Sequence, residues 1–211
     1  MKNVRVLDVE VAVGKSFKAL PYPAYLAAMW IVTDELAQLY RDRNTPEGQE
    51  LVDRSLRLLR MVVDGSAEAA MPDARQAAAD WLALMGIPRD WDEEHEDDDH
   101  IQLIDLPVDP GVGGLWKVLR DLMHELVGDS PRYSSEMYLT GAITGVHDPF
   151  VLGEEGPIKV IVPSPFVDEH NPMVVLLGKC QTVAELMGGP DTGGMPDPDE
   201  VRAAVFRDDS A

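Results

Sequence analysis

Between Ala24 and Met85 the chain carries three successive apolar patterns of helical period, separated only by short stop signals. The first runs from Ala24 to about Tyr40. Helical spacing puts Tyr25, Met29, Val32, Leu36 and Leu39 on one face, Trp30 widens that stripe, and Asp34, Glu35, Gln38 and Asp42 lie elsewhere. Asn44-Thr45-Pro46-Glu47 closes this helix and opens the next. Thr45 is a good N-cap, and Pro46 suits the first helical position, where an N–H has no partner to lose.

The second helix continues to about Val63 with Leu51, Leu58, Leu59, Val62 and Val63 apolar. Its charges are spaced to pair at i,i+4 as Glu50–Arg54, Asp53–Arg57 and Arg60–Asp64. After Gly65 and an Ala-rich piece broken by Pro72, a third helix is predicted from Asp73 to Met85. It packs through Ala74, Ala77, Ala78, Trp81 and Met85 and stops at Gly86 and Pro88. Helices joined this closely bury their apolar faces most readily against one another, as antiparallel neighbours.

The next segment cannot join that core. Eight of the ten residues from Asp90 to Asp99 are acidic and none is basic, so mutual repulsion opposes compaction and a solvated loop is predicted. Ile101 to Leu106 is apolar enough for an edge strand or an extended packing segment. Asp109-Pro110-Gly111-Val112-Gly113-Gly114 is turn chemistry, followed by a fourth helix from Leu115 to Val127 with Leu115, Val118, Leu119, Leu122, Met123 and Leu126 facing inward.

Strands are expected at both ends. Val4 to Val13 is rich in valine, and Leu7, Val9, Val11 and Val13 alternate with Asp8, Glu10 and Ala12, the period of a half-buried strand. Ile158–Val162 and Met173–Leu177 are short apolar runs bounded by Gly, Pro and Asn, which read as two more. Ser134-Ser135-Glu136 opens a short helix through Ile143. Thr182 with Glu185 forms a capping box for a helix to Met187, and Asp197-Pro198 opens a last one through Phe206.

The fold class is therefore mainly α with an α+β minority: a helical bundle with a small β element formed by N-terminal and C-terminal strands. Residues 1–187 form one main domain, with a helical core at about 24–127 and a mixed part at about 128–187. Residues 188–211 form a linker and a short C-terminal helix or tail.

Charge narrows the function classes. There are 38 acidic and 18 basic residues, a formal net charge of −20; without the eight acids of the run, 30 acids still oppose 18 basic residues. Such a field disfavours phosphate backbones and anionic membranes, so neither nucleic acid nor a membrane is the expected partner. It favours a basic protein and speeds the encounter with one. Cys180 is the single cysteine, which excludes an internal disulfide and fits a reducing compartment. With no leader-like or spanning apolar stretch, the sequence predicts a cytoplasmic protein.

The residues carrying that expectation are Trp91, Asp92, Glu93, Glu94, Glu96, Asp97, Asp98, Asp99 and Ile101: acids for electrostatic capture, flanked by Trp91 and Ile101 for packing. His95 and His100 are the candidate ligands for a metal there. The run has no glycine for an EF-hand loop and no His-x-x-x-His spacing, so neither metal nor cofactor is predicted.

Catalytic groupings are thin. His124-Glu125 is conceivable as an acid–base pair, and Ser164, His147-Asp148 and Asp168-Glu169-His170 can be assembled into a triad on paper. No G-x-S-x-G elbow supports the triad, and no catalytic residue is assigned. Cys180 reads as a buried, inert thiol.

The expected function is thus an acidic, non-enzymatic binding protein that captures a basic protein, as immunity proteins and inhibitors do. The alternatives are a structural or adaptor subunit of a bacterial or phage multi-protein assembly, and, further off, a metal-dependent or hydrolytic enzyme.

Overall fold

The computed structural model describes residues 2–87, 106, 108–144, 150–153, 156–159, 166–189 and 194–207. Among them the chain forms β1 (Asn3–Arg5), α1 (Val6–Lys18), α2 (Tyr22–Tyr40), α3 (Pro46–Val63), α4 (Ala67–Met85), α5 (Pro110–Val127) and α6 (Glu136–Thr144). The hairpin strands β2 (Phe150–Gly153) and β3 (Gly156–Lys159) follow, then β4 (Phe166–Asp168), α7 (Pro172–Met187) and α8 (Pro198–Phe206). The expected architecture is present: a helical bundle with a small β element in which β1 pairs antiparallel with β4, Val4 opposite Val167.

Four helices start by one chemical device. Thr45 accepts the Gly48 N–H at 3.0 Å, Asp109 that of Gly111 at 2.9 Å, Asn171 that of Met173 at 3.0 Å and Asp197 that of Asp199 at 2.8 Å, and a proline follows each cap. An oxygen acceptor satisfies a backbone donor that has no helical partner, while proline presets φ for the first turn. Gly86 and Gly128 end α4 and α5 in the left-handed conformation, at φ 71° and 87°.

α2 forms the centre. Every residue from Ala24 to Thr33 is buried, so this helix is apolar nearly all round rather than along one stripe. One consequence reverses an expectation: Leu39, assigned to the inward face, is 56% exposed. α5 packs on α2, α3, α4 and α6, whereas α1 packs on α6 and α7, so the bundle extends well beyond the first four predicted helices. At the α3–α4–α5 junction the Trp81 and Trp116 rings lie 5.9 Å apart. Their indole N–H groups donate to Ser55 Oγ at 2.9 Å and Asn44 Oδ1 at 3.1 Å.

Three local expectations are corrected. Val6 to Val13 is helix, not strand: Val6, Val13 and Phe17 lie on one helical face and are buried, whereas Val11 is 43% exposed. The valines fit both periods, and packing against α6 and α7 overrides their β preference. Met173–Leu177 is likewise helical, inside α7, and Thr182 sits mid-helix with its hydroxyl donating to Gly178 O at 3.0 Å rather than capping. α4 continues through Pro72, with Ala70 and Ala74 buried against the core on either side of it.

Two further differences come from close packing. The glycines of residues 111–114 are the first turn of α5, not a turn before it. A Cβ on Gly114 would stand 2.5 Å from Ala142 Cα, so α5 and α6 meet there backbone to backbone, and one on Gly111 would stand 2.7 Å from the Tyr40 ring, which packs on the bare backbone. The ion pairs also cross between elements. Arg60–Asp64 forms at 2.9 Å, but Arg54 reaches Asp80 on α4 at 2.6 Å, and Asp53 takes Arg41 at 3.4 Å. No described helix is long and apolar enough to cross a membrane.

Candidate functional site

The residues assigned to partner capture, Trp91 to Asp99 and Ile101, lie outside the described residues, as do His95 and His100. The nearest described residues are Ile87 before them and Leu106 and Val108 after them. Gly86 caps α4, the Ile87 N–H donates to Leu82 O at 2.8 Å, and Ile87, Leu106 and Val108 pack against the core before Asp109 caps α5.

Several of the bundle's arginines pair with its own acids. Beyond the pairs already named, Arg43 meets Asp109 at 3.3 Å, Arg60 meets Asp199 at 2.9 Å, Arg120 meets Asp121 at 2.6 Å, and Arg202 holds both Asp34 at 2.7 Å and Glu35 at 2.6 Å. Arg60–Asp64 is the expected pair of α3 that forms, and the other pairs draw on residues of α2, α3, α4, α5 and α8.

The hypothetical His124–Glu125 pair separates. His124 Nδ1 lies 3.8 Å from Asp129, whereas Glu125 is 5% exposed and turns into the core. There Oε2 accepts the Tyr133 N–H at 3.1 Å. Oε1 accepts Ser134 Oγ at 3.1 Å, Ser135 N at 2.7 Å and Ser135 Oγ at 2.6 Å, with Tyr25 Oη further off at 3.4 Å. Because the Ser135 proton goes to Glu125, the 2.7 Å contact between Tyr25 and Ser135 has the tyrosine donating. A carboxylate buried and engaged in this way is turned inward, away from any substrate at the surface. Its work is to hold the loop before α6.

Tyr133 is what that loop needs held. Its φ of 68° is left-handed, a conformation that costs about 1–3 kcal/mol without glycine and persists only when surrounding contacts over-determine it. Here the backbone N–H goes to Glu125, the hydroxyl donates to Leu20 O at 2.9 Å, and the ring lies 4.7 Å from that of Tyr25 and 5.6 Å from that of Tyr22.

This packing shifts phenols. Burial, aided by the negative charge of Glu125 and opposed by Arg132, pushes Tyr22 up to about 12; burial raises Tyr25 further and Tyr40 as well. A phenol whose folded pKa exceeds its unfolded value near 10 contributes stability that is intact below pH 10 and lost as the pH climbs through 12. In an alkaline titration these three tyrosines are expected to ionise late and together with loss of helix. Phenolate absorbance followed beside circular dichroism checks this, and full ionisation near pH 10 with the helices intact would contradict it.

The remaining sequence candidates are only partly described. Ser164, His147 and Asp148 lie outside the described residues, while Asp168 Oδ1 accepts the His170 N–H at 2.8 Å in a local turn after β4. Cys180 is fully buried on α7, and burial pushes its thiol up to about 12, so it is inert at neutral pH.

The periodicity of α2 missed one feature. A groove of about 640 Å³ opens between the end of α2, the start of α5, the end of α6, and α7 and α8; Leu39, Ile143, Met173, Val175 and Leu176 supply its apolar lining. The outward turn of Leu39 and the helical state of Met173–Leu176 create it, and both were read otherwise from the sequence.

No family model, curated protein or solved structure matches this chain. Function has to be argued from its own residues.

Proposed function

We propose that this chain is an acidic, non-enzymatic binding protein that captures a basic protein, in the manner of an immunity protein or inhibitor. One observation carries the reading: eight acids in ten residues leave from a bundle in which Arg41, Arg43, Arg54, Arg60, Arg120 and Arg202 are each already paired with an acid. Basic residues are also scarce in the chain, 18 against 38 acids, so the concentrated negative charge from Asp92 to Asp99 is far from balanced within it. A partner bearing a basic patch supplies the missing cations, steered by long-range attraction and then held by contact with Trp91 and Ile101.

Two baits test this at low salt: the native chain, and one with the acids between Asp92 and Asp99 replaced by Ser and Asn. The native bait is expected to retain one basic protein, released at moderate salt and re-forming a stoichiometric complex when purified, while the neutralised bait loses it. Equal retention of several proteins by both baits would remove the acidic run from the mechanism and favour the assembly-subunit reading.

A further inference from the structure

The groove beside Leu39 is chemically unlike the rest of the molecule. In a chain of net charge −20, two cations and one carboxylate line it: Arg43, Lys179 and Asp109. Each cation rests on an aromatic ring of the wall, Arg43 at 4.6 Å from the centre of Tyr40 and Lys179 Nζ at 5.3 Å from that of Phe206. A ring face positions a cation without neutralising it, and its N–H groups can still bond an anion. Asp109 at 3.3 Å offsets Arg43, which leaves the positive charge of the groove at the Lys179 side.

Between these groups the surface is aliphatic. Leu39 at 56% and Val175 at 44% exposure stand open beside the buried bundle, and the space of about 640 Å³ lies within the range of small-molecule sites. We propose that this groove binds an amphipathic carboxylate, an alkyl chain terminated by a single carboxylate, with the chain along Leu39, Met173 and Leu176 and the anion at Lys179. A cationic amphiphile would meet two like charges, and a neutral one would leave Lys179 without its anion. An acidic peptide fits less well. Its backbone N–H and C=O groups would need partners from a predominantly aliphatic lining, and its extra charges would enter the field of a −20 chain. This inference is independent of the acidic segment, so failure of either leaves the other standing.

The full chain is titrated by calorimetry with dodecanoate below its micelle concentration, and with dodecylamine and dodecanol as matched probes. Dodecanoate is expected to bind one-to-one and more tightly than both. Lys179→Glu should weaken it by about tenfold or more, the worth of one charge-assisted hydrogen bond, with the circular dichroism spectrum unchanged. A photoreactive dodecanoate should label peptides containing Ile143 or Met173–Leu176. Equal affinity for the amine, no effect of Lys179→Glu, labelling elsewhere, or Lys179-dependent binding of an acidic amphipathic peptide without binding of dodecanoate would each overturn the proposal.

Discussion

Glu125→Ala is expected to destabilise the protein by about 4 kcal/mol, near the upper end for a point substitution. The side chain is almost fully buried and accepts two backbone N–H groups and two serine hydroxyls at 3.1 Å or less. Bonds to a charged acceptor contribute roughly 1.5–3 kcal/mol each, but four that share one carboxylate do not add. The larger cost is what remains afterwards. Ser135 keeps its backbone donor in the interior and Tyr133 a partly buried one, and Tyr133 loses a contact that holds it at φ 68°.

Glu125→Leu should fare no better, because filling the volume leaves the same donors orphaned. Glu125→Gln, which keeps an acceptor oxygen, should lose about half as much. Urea unfolding followed by circular dichroism provides the measurement, with the midpoint shifting and the slope constant. A loss below about 1 kcal/mol for the alanine variant would show that the loop before α6 is held by its ring contacts alone.

Trp81→Ala should cost about 4 kcal/mol by a different route. Trp81 is fully buried at the junction of α3, α4 and α5, against the Trp116 ring. Truncating a buried Trp removes its apolar burial and leaves a cavity that close-packed helices fill only partly, a combined loss of roughly 3–5 kcal/mol. The Ser55 hydroxyl, 2.9 Å from the indole nitrogen, loses its donor as well. Trp81→Phe separates the two contributions, since it keeps most of the packing and gives up the hydrogen bond; about 1–2 kcal/mol is expected. The same unfolding experiment decides. A Phe variant as unstable as the Ala variant would make the hydrogen bond, rather than packing, the dominant contribution.

Both residues were visible in the sequence, but in unequal measure. Trp81 falls on the predicted packing side of its helix with Ala74, Ala77 and Ala78, and all four are buried. Glu125 could be read only as half of a histidine–glutamate pair. Its partners lie at 133–135, past a helix stop, and at Tyr25, a hundred residues away. No periodicity within α5 announces them. A charged residue next to the inward-facing Leu122, Met123 and Leu126 was the one available sign that the interior there is polar.

The helix starts are a subtler case. A capping oxygen followed by proline opens α3, α5, α7 and α8 alike. Read at Thr45-Pro46 and Asp197-Pro198, it placed those helices correctly. The same signal at Asp109-Pro110 was taken as a turn because three glycines follow, and at Asn171-Pro172 it was overruled by the valines of α7. Glycine's helix cost was outweighed by the close approach of α5 to Tyr40 and Ala142.

The sequence by itself determined the starts of α3 and α8 and the ends of α4 and α5, since caps, prolines and left-handed glycines act within a turn of the residues they govern. It determined the mainly helical class, and it determined the charge that makes a basic partner the leading expectation. Only the tertiary structure decided which way each apolar residue faces. α2 became a central helix with Leu39 outside, and the valines of α1 became a helical face because α6 and α7 were there to cover them. Burial depends on what packs against a surface, and that partner often lies far away along the chain.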